Sequence, residues 1–371
     1  MSKVFLIGAG ASAEAGYPIT KELIYPVAHY LVEYKKNEKG RPSRLEQYLG
    51  TVYSLDEHGL ESAACLWDEF VNVPSGQAPK RLPDTELMPS IMEILSVVDV
   101  AIAEQWSLGP SREGHSPSRK SRELKGNELQ RVRERLVAAL LTGFMQLDRT
   151  RPYHHAFELL AKSLHRDDVV VTTNWDTLLD RAICCETSAP PAYGTLGARL
   201  VDYLGHDLKQ QETSESRRLY KLHGSFNWQY CPRCGNLYVN PNKIIMPVEG
   251  ARLSSLDREC HCGAEMDGLV VTPSFVKRYL NVHLGNIWRG AQKALEAARE
   301  WIFVGYSLPN DDLWIRAMLL RAVVIRRGQK TPPIIHMVSH KKDLELESRY
   351  RQLFQADIQF HPAGFLSFLA Q

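Results

Sequence analysis

Two hydrophobic patterns alternate along the chain. Short runs rich in apolar residues occur at residues 3–7, 169–173, 219–222, 269–271, 301–304 and 334–338. Each is rich in branched side chains and bounded by turn formers, which predicts strands buried on both faces of a mainly parallel sheet. Between the first two runs the period changes. Ile91, Ile94, Leu95, Val98 and Ile102 recur at helical spacing, as do Leu129, Val132, Leu136, Leu140, Leu141, Phe144 and Leu147. Two amphipathic helices follow from that spacing, with Pro89 suited to the first turn of the earlier one. Residues 73–89, 109–126 and 207–218 carry Pro, Ser or dense charge and read as loops. Helices are expected at about 276–300 and 311–327, the second capped by Asn310, Asp311 and Asp312 and stopped by Gly328. The pattern is that of an α/β domain built from residues 1–20 and 166–371, interrupted by a helical insertion at 21–165.

A length of 371 residues accommodates such an insertion. The net charge of +2 gives no general attraction to nucleic acid or to a membrane surface. A local basic loop (Arg112, Arg119, Lys120, Arg122, Lys125) leaves a nucleic-acid-directed effector as a distant alternative to a solvated loop. The first apolar run is short and leads straight into glycines, so it does not read as a signal peptide. No run reaches the roughly 20 apolar residues of a membrane span. Seven cysteines, four of them in two tight pairs, suggest metal binding in a reducing cytoplasm rather than a disulfide framework.

Five motifs could carry chemistry. Gly8-Ala9-Gly10-Ala11-Ser12-Ala13 follows the first strand, where glycines let the backbone approach a phosphate at a helix N-terminus. The same glycines could simply pack a helix on a strand. No acidic strand end lies some 20 residues on; residues 30–36 read as helix, which weakens a hydride-transferring dinucleotide site. Thr172-Thr173-Asn174-Trp175-Asp176 ends a strand and offers an amide and a carboxylate, or else two helix caps. His223-Gly224 ends another strand, and a histidine there is either a general base or a structural residue. Cys231 and Cys234 pair with Cys260 and Cys262 as a zinc-ribbon-like module at 226–268, a closed structural Zn2+ site in which His261 or another ligand could substitute. Gly305-Tyr306-Ser307 and the strand leading to Ser339 could face a phosphate, ribose or adenine, or only turn the chain. Cys65, Cys184 and Cys185 read as core or surface thiols.

In this order the motifs resemble the sirtuin superfamily. Gly8–Ser12 is similar to its GAGxS motif, Thr173–Asp176 to QNxD with Thr for Gln, His223-Gly224 to the catalytic HG, and Gly305–Ser307 to GTS. The cysteine pairs fall where that family carries its zinc module. The resemblance covers about residues 1–30 and 165–345 and implies a Rossmann-like fold. Three departures separate the chain from the deacylase branch. Ile19-Thr20-Lys21 replaces Asp-Phe-Arg, a helical block fills the gap before Thr173, and Thr272-Pro273-Ser274-Phe275 lacks Phe-Gly-Glu. The chain looks more like the sirtuin-like NAD+ hydrolases of prokaryotic antiphage systems.

That resemblance implies NAD+ as substrate, cleaved to nicotinamide and ADP-ribose. It assigns catalysis to Asn174, Asp176 and His223, and cofactor binding to Gly8, Ala9, Gly10, Ala11, Ser12, Thr173, Gly305, Ser307 and Ser339. Because an enzyme that destroys NAD+ cannot be left on in a growing cell, a cytoplasmic homo-oligomer is expected, with activity gated by assembly through the apolar helical insertion, with itself, a partner ATPase or a phage-derived activator. The competing expectations are an NAD-dependent protein deacylase or ADP-ribosyltransferase, and a non-catalytic NAD or ADP-ribose sensor.

Overall fold

The first apolar run forms β1 (Lys3–Ile7), whose last four residues are buried, and the glycine turn after it starts the short helix α1 (Ala9–Glu14). The computed structural model describes residues 2–38, 43–73, 80–83, 88–108, 124–151, 153–201, 213–246, 259–274, 281–310 and 312–370. The basic loop from Arg112 to Arg122, Phe275 and Asp311 lie outside them.

Among the described residues six α-helices follow before the chain returns to the sheet. They are α2 (Ile24–Asn37), α3 (Arg44–Val52), α4 (Glu57–Val71), α5 (Ile91–Ala103), α6 (Gly126–Thr150) and α7 (His155–Ser163). Side chains of Ser43, Asp56 and Ser90 cap α3, α4 and α5 by accepting an N–H of the first turn. The apolar stripes of α5 and α6 are buried, and their residues join those of β1 in one hydrophobic core. Among the described residues the apolar stripes of α5 and α6 are thus spent inside the molecule. Large exposed apolar side chains among the described residues include Trp106 and Tyr153 and, along one helix near the C-terminus, Leu313, Trp314, Leu320 and Val324.

The remainder alternates strands and helices: β2 (Val169–Thr172), α8 (Leu178–Thr187), β3 (Arg199–Leu200), β4 (Arg218–Lys221), β5 (Gly224–Tyr230), β6 (Leu237–Val239), β7 (Asp267–Val270), α9 (Val282–Ala297), β8 (Glu300–Val304), α10 (Leu313–Gly328), β9 (Ile334–Val338), α11 (Leu344–Phe354), β10 (Ile358–His361) and α12 (Phe365–Leu369). Six strands form one sheet in the order β10-β9-β8-β1-β2-β4, every neighbouring pair parallel. β1 registers Val4 against Val169 on one side and Ile7 against Val304 on the other. The winding therefore reverses at β1, with β2 and β4 added on one flank and β8, β9 and β10 on the other.

Two expectations need correction. The run at 269–271 is not a strand of the parallel sheet. It belongs to β7, antiparallel to β5 in a second sheet of order β3-β6-β5-β7 that carries the cysteines. The strand at 334–338 is not the last one, because β10 adds a sixth to the edge. Among the described residues no helix is long and apolar enough to cross a membrane.

Candidate active site

The carboxyl ends of the central strands converge on one cavity of about 440 Å3, within the size range of small-molecule sites. It sits where the winding direction changes, the place at which open α/β sheets bind ligands. Ala9, Gly10 and Ser12 reach it from the turn after β1. Thr173, Asn174 and Asp176 reach it from β2, His223 from β4, and Gly305 and Ser307 from β8.

The glycines are explained first by packing. Gly8 and Gly10 donate their N–H groups to the carbonyls of Val304 and Gly305, both at 2.9 Å. A Cβ on Gly8 or Gly10 would lie 2.6 or 2.7 Å from the Gly305 oxygen. Gly305 has φ of +60°, and a Cβ there would sit 2.1 Å from the Ala11 nitrogen. Two turns from neighbouring parallel strands are thus pressed backbone to backbone, as only glycine allows. Gly8 and Ala11 stand behind this wall and do not line the cavity. Ser339 does not line it either; its hydroxyl donates to the Lys341 carbonyl at 2.7 Å.

Asn174 is held by a directional chain. Its Nδ2 donates to the Gly8 carbonyl at 3.0 Å and to Ser12 Oγ at 2.9 Å. The Gly8 oxygen only accepts, which fixes the amide's orientation. With both amide hydrogens committed, the Asn174 side-chain oxygen is the group left to accept from a ligand. Ser12 in turn donates to Asp176 Oδ2 at 2.7 Å, and Asp176 Oδ1 accepts the Leu178 N–H at 3.1 Å. Asp176 therefore accepts the first N–H of α8 and also holds Ser12. Burial raises the Asp176 pKa, opposed by the nearby Lys221 charge and the Ser12 bond. Behind it, Lys221 Nζ donates to the Asp176 carbonyl at 2.6 Å and pairs with Asp180 at 2.8 Å. Tyr193 and Asn227 complete the Asp180 carboxylate at 2.6 and 3.0 Å, which satisfies a buried ion pair that would otherwise be costly.

His223 is fixed through its backbone. Its carbonyl accepts the Val271 N–H at 2.8 Å, and the preceding Leu222 carbonyl accepts Trp288 Nε1–H at 3.0 Å. The next residue must be glycine. Gly224 has φ of +71°, and a Cβ would lie 1.9 Å from the Leu269 oxygen. The His-Gly pair is thereby a geometric unit, with β7 crossing too close for any other residue.

Helices α5 and α6 and the turn after α1 complete the cavity in a way the motifs did not foretell. Met92 of α5 and Phe144 of α6 line it, together with Tyr17, Pro18, Ile19, Thr20, Lys21 and Leu23. Phe144 packs edge-on against Trp175 and Phe226, with ring centres 6.2 and 5.1 Å apart. Periodicity marks Phe144 as helical and apolar, but it does not separate a cavity wall from a core.

The four cysteines form a second site. Their Sγ atoms all lie within 4.8 Å of one another, with Cys231–Cys262 at 3.6 Å and Cys234–Cys260 at 3.4 Å. Four thiolates about 2.3 Å from a tetrahedral ion would stand roughly 3.8 Å apart, so the set fits a metal of that preference. His261 Nδ1 lies 2.8 Å from the Tyr238 hydroxyl oxygen, and His261 is not one of the four clustered side chains.

A sheet wound both ways from its central strand, with a cleft at the reversal, defines a doubly wound α/β fold. More narrowly, residues 168–361 match the SIR2-like domain family, and the chain belongs to that family. The matched span holds Asn174, Asp176, His223, the cysteines and Gly305, while the glycine turn lies outside it. A solved Sir2 complex with a p53 peptide and NAD+ is 14% identical, with 100% of this chain and 90% of that one covered and a TM-score of 0.43. A Sir2 homologue complexed with NAD is also 14% identical, over 99% and 86% of the two chains, at a TM-score of 0.38. No match to a curated protein was found.

Proposed function

We propose that the chain is an NAD+ glycohydrolase that releases nicotinamide and ADP-ribose. The observation that carries this reading is the convergence of Asn174, Ser12, Asp176 and His223 on one cavity beside the glycine turn. Cleavage breaks the bond between C1′ of the ribose and the pyridinium nitrogen, and the electron pair leaves with neutral nicotinamide. The transition state is oxocarbenium-like. The Asn174 oxygen accepts a hydrogen bond from the attacking water or a ribose hydroxyl. His223 takes the proton as the water oxygen bonds to C1′. Asp176 orients Ser12 and so Asn174, and is the acceptor for the carboxamide. Ala9, Gly10, Thr173, Gly305 and Ser307 surround the phosphates and riboses, with Gly8 and Ala11 shaping the turn. Ser339, off the cavity wall, serves at most the adenosine end of the bound substrate. Cys231, Cys234, Cys260 and Cys262 hold a structural Zn2+ that supplies a cross-link and no chemistry.

Hydrolysis is preferred over protein deacylation or ADP-ribosyl transfer because Ile19, Thr20, Lys21 and Pro273, which differ from the deacylase pattern, all line the cavity. A role in antiphage defence through NAD+ depletion, with control by self-assembly or a partner ATPase, belongs to the same reading. The test is incubation of pure protein with NAD+ alone, with products resolved by chromatography. Nicotinamide release without a second substrate is expected, and Asn174→Ala and His223→Ala should each lower it by about 100-fold or more. Release that requires an acylated peptide would establish the deacylase instead. Tight binding without turnover would establish a sensor.

A further inference from the structure

The segment from Tyr17 to Lys21 forms one wall of the cavity, and its backbone and flanking residues are fastened by two arginines, Arg81 and Arg151. Arg81 Nη1 donates to the Tyr17 carbonyl at 3.0 Å and to the Ala13 carbonyl at 3.4 Å, while Nε donates to Glu22 Oε1 at 3.1 Å. Its Nη2 pairs with Glu22 Oε2. Glu22 is only 2% exposed, and its Oε2 also accepts the Ile19 N–H at 2.8 Å. Arg151, at the end of α6, donates through Nη1 to the Gly16 carbonyl at 2.7 Å and through Nη2 to the Phe70 carbonyl. Both guanidinium groups lie over the ring of Phe70, at 5.8 and 5.1 Å from its centre.

These bonds have a common target. The Tyr17 carbonyl and the Ile19 N–H belong to the cavity-lining turn, the Gly16 carbonyl immediately precedes it and the Ala13 carbonyl lies at the end of α1, and each is met by a charged side chain. Charge-assisted bonds of this kind are about twice as strong as neutral ones, and the planar guanidinium fork fixes direction as well as distance. The geometry points to Arg81, Arg151 and Glu22 as positioning residues that set the shape of the substrate-facing turn Tyr17–Lys21 before any ligand arrives. The inference deepens the glycohydrolase reading and rests on it. A turn held ready by the chain's own insertion needs no second substrate to order it, and the ordering entropy is spent in folding instead of binding.

The test pairs a readout free of catalysis with a kinetic one. Lys21 is an exposed tryptic site inside the fastened turn. In Arg81→Gln and Glu22→Gln, trypsin is expected to cut after Lys21 at least tenfold faster than in wild type, with other sites unchanged by mass mapping. The KM for NAD+ should rise about tenfold with kcat changed by less than threefold, and Arg81→Lys should recover part of both effects. Unchanged cutting at Lys21 together with an unchanged KM overturns the proposal. Faster cutting throughout the chain also overturns it, since that is loss of fold and not of the turn. Where wild-type protein shows the protected Lys21 but no nicotinamide release, the clamp stands and the glycohydrolase reading falls. Arg151→Met provides the second variant, with the same expected cutting and the same overturning result.

Discussion

Asp176 is the residue where folding and function pull in opposite directions. It is buried and its pKa is raised, because burial disfavours the ionised carboxylate more than Lys221 and Ser12 restore it. An acid with a raised folded pKa binds its proton more tightly in the native than in the unfolded chain. Its stabilising contribution is therefore complete at low pH and is lost as pH climbs from the ordinary carboxylate range to the folded value. Asp176→Asn removes that loss while keeping an acceptor for Ser12. The melting temperature of the variant relative to wild type is expected to rise by about 2 °C or more between about pH 3 and pH 7, while nicotinamide release falls. A difference that stays flat across that range would show that the carboxylate is fully compensated where it sits. The same residue shows what a motif conveys. Spacing within Thr173–Asp176 exposes an amide and a carboxylate at a strand end, but the Ser12 bridge joining them spans 164 residues of sequence and has no local signature.

At the scale of elements, the parallel sheet was legible because strands buried on both faces must be apolar at every position. Residues 4–7, 169–171 and 301–304 behave so, and 334–338 does apart from His336 and the exposed Ile334. β10 escaped because Ile358-Gln359-Phe360-His361 alternates, as an edge strand with one wet face does. β7 was assigned to the wrong sheet because Leu269-Val270-Val271 has the composition of a buried strand, and composition carries no partner. The site depends on how β1 and β8 end. Gly305→Ala is expected to destabilise the fold by about 2 kcal/mol or more, since it adds left-handed strain to a Cβ contact of 2.1 Å with backbone that cannot move aside. Gly328→Ala is the matched control. It lies in α10 with nothing within 4 Å of an added Cβ, so urea denaturation should show unchanged or slightly higher stability. Equal effects of the two substitutions would mean that the backbone contact between the turns is not a constraint.

Across the whole molecule, the cavity is assembled from parts far apart in sequence, and that is where sequence reading ran out. Tyr17, Met92 and Phe144 are apolar residues on or near helices, and only the packing of α5 and α6 onto the sheet turns them into a wall. The metal module is tied into the same assembly by one strand. β5 begins at Gly224, one residue after His223, and ends at Tyr230, one residue before Cys231. Asn227, in the middle of that strand, donates to Asp180 and to the Asn240 carbonyl, which links the cysteine-bearing sheet to the buried Lys221–Asp180 pair behind Asp176. Anything that loosens the cysteine end should therefore reach the histidine end along a bonded path. Elemental analysis is expected to find about one zinc per chain. Because a site rarely preforms in an unfolded chain, its binding free energy is folding free energy. Cys231→Ser should then lower folded yield, zinc content and melting temperature together, and the protein that does fold should turn over NAD+ more slowly. Cys65→Ser, at an exposed position away from the cluster, should change none of these. Chelator treatment that strips the metal yet leaves melting and turnover intact would show the two ends of β5 to be independent, and the cysteine cluster would lose its part in holding His223.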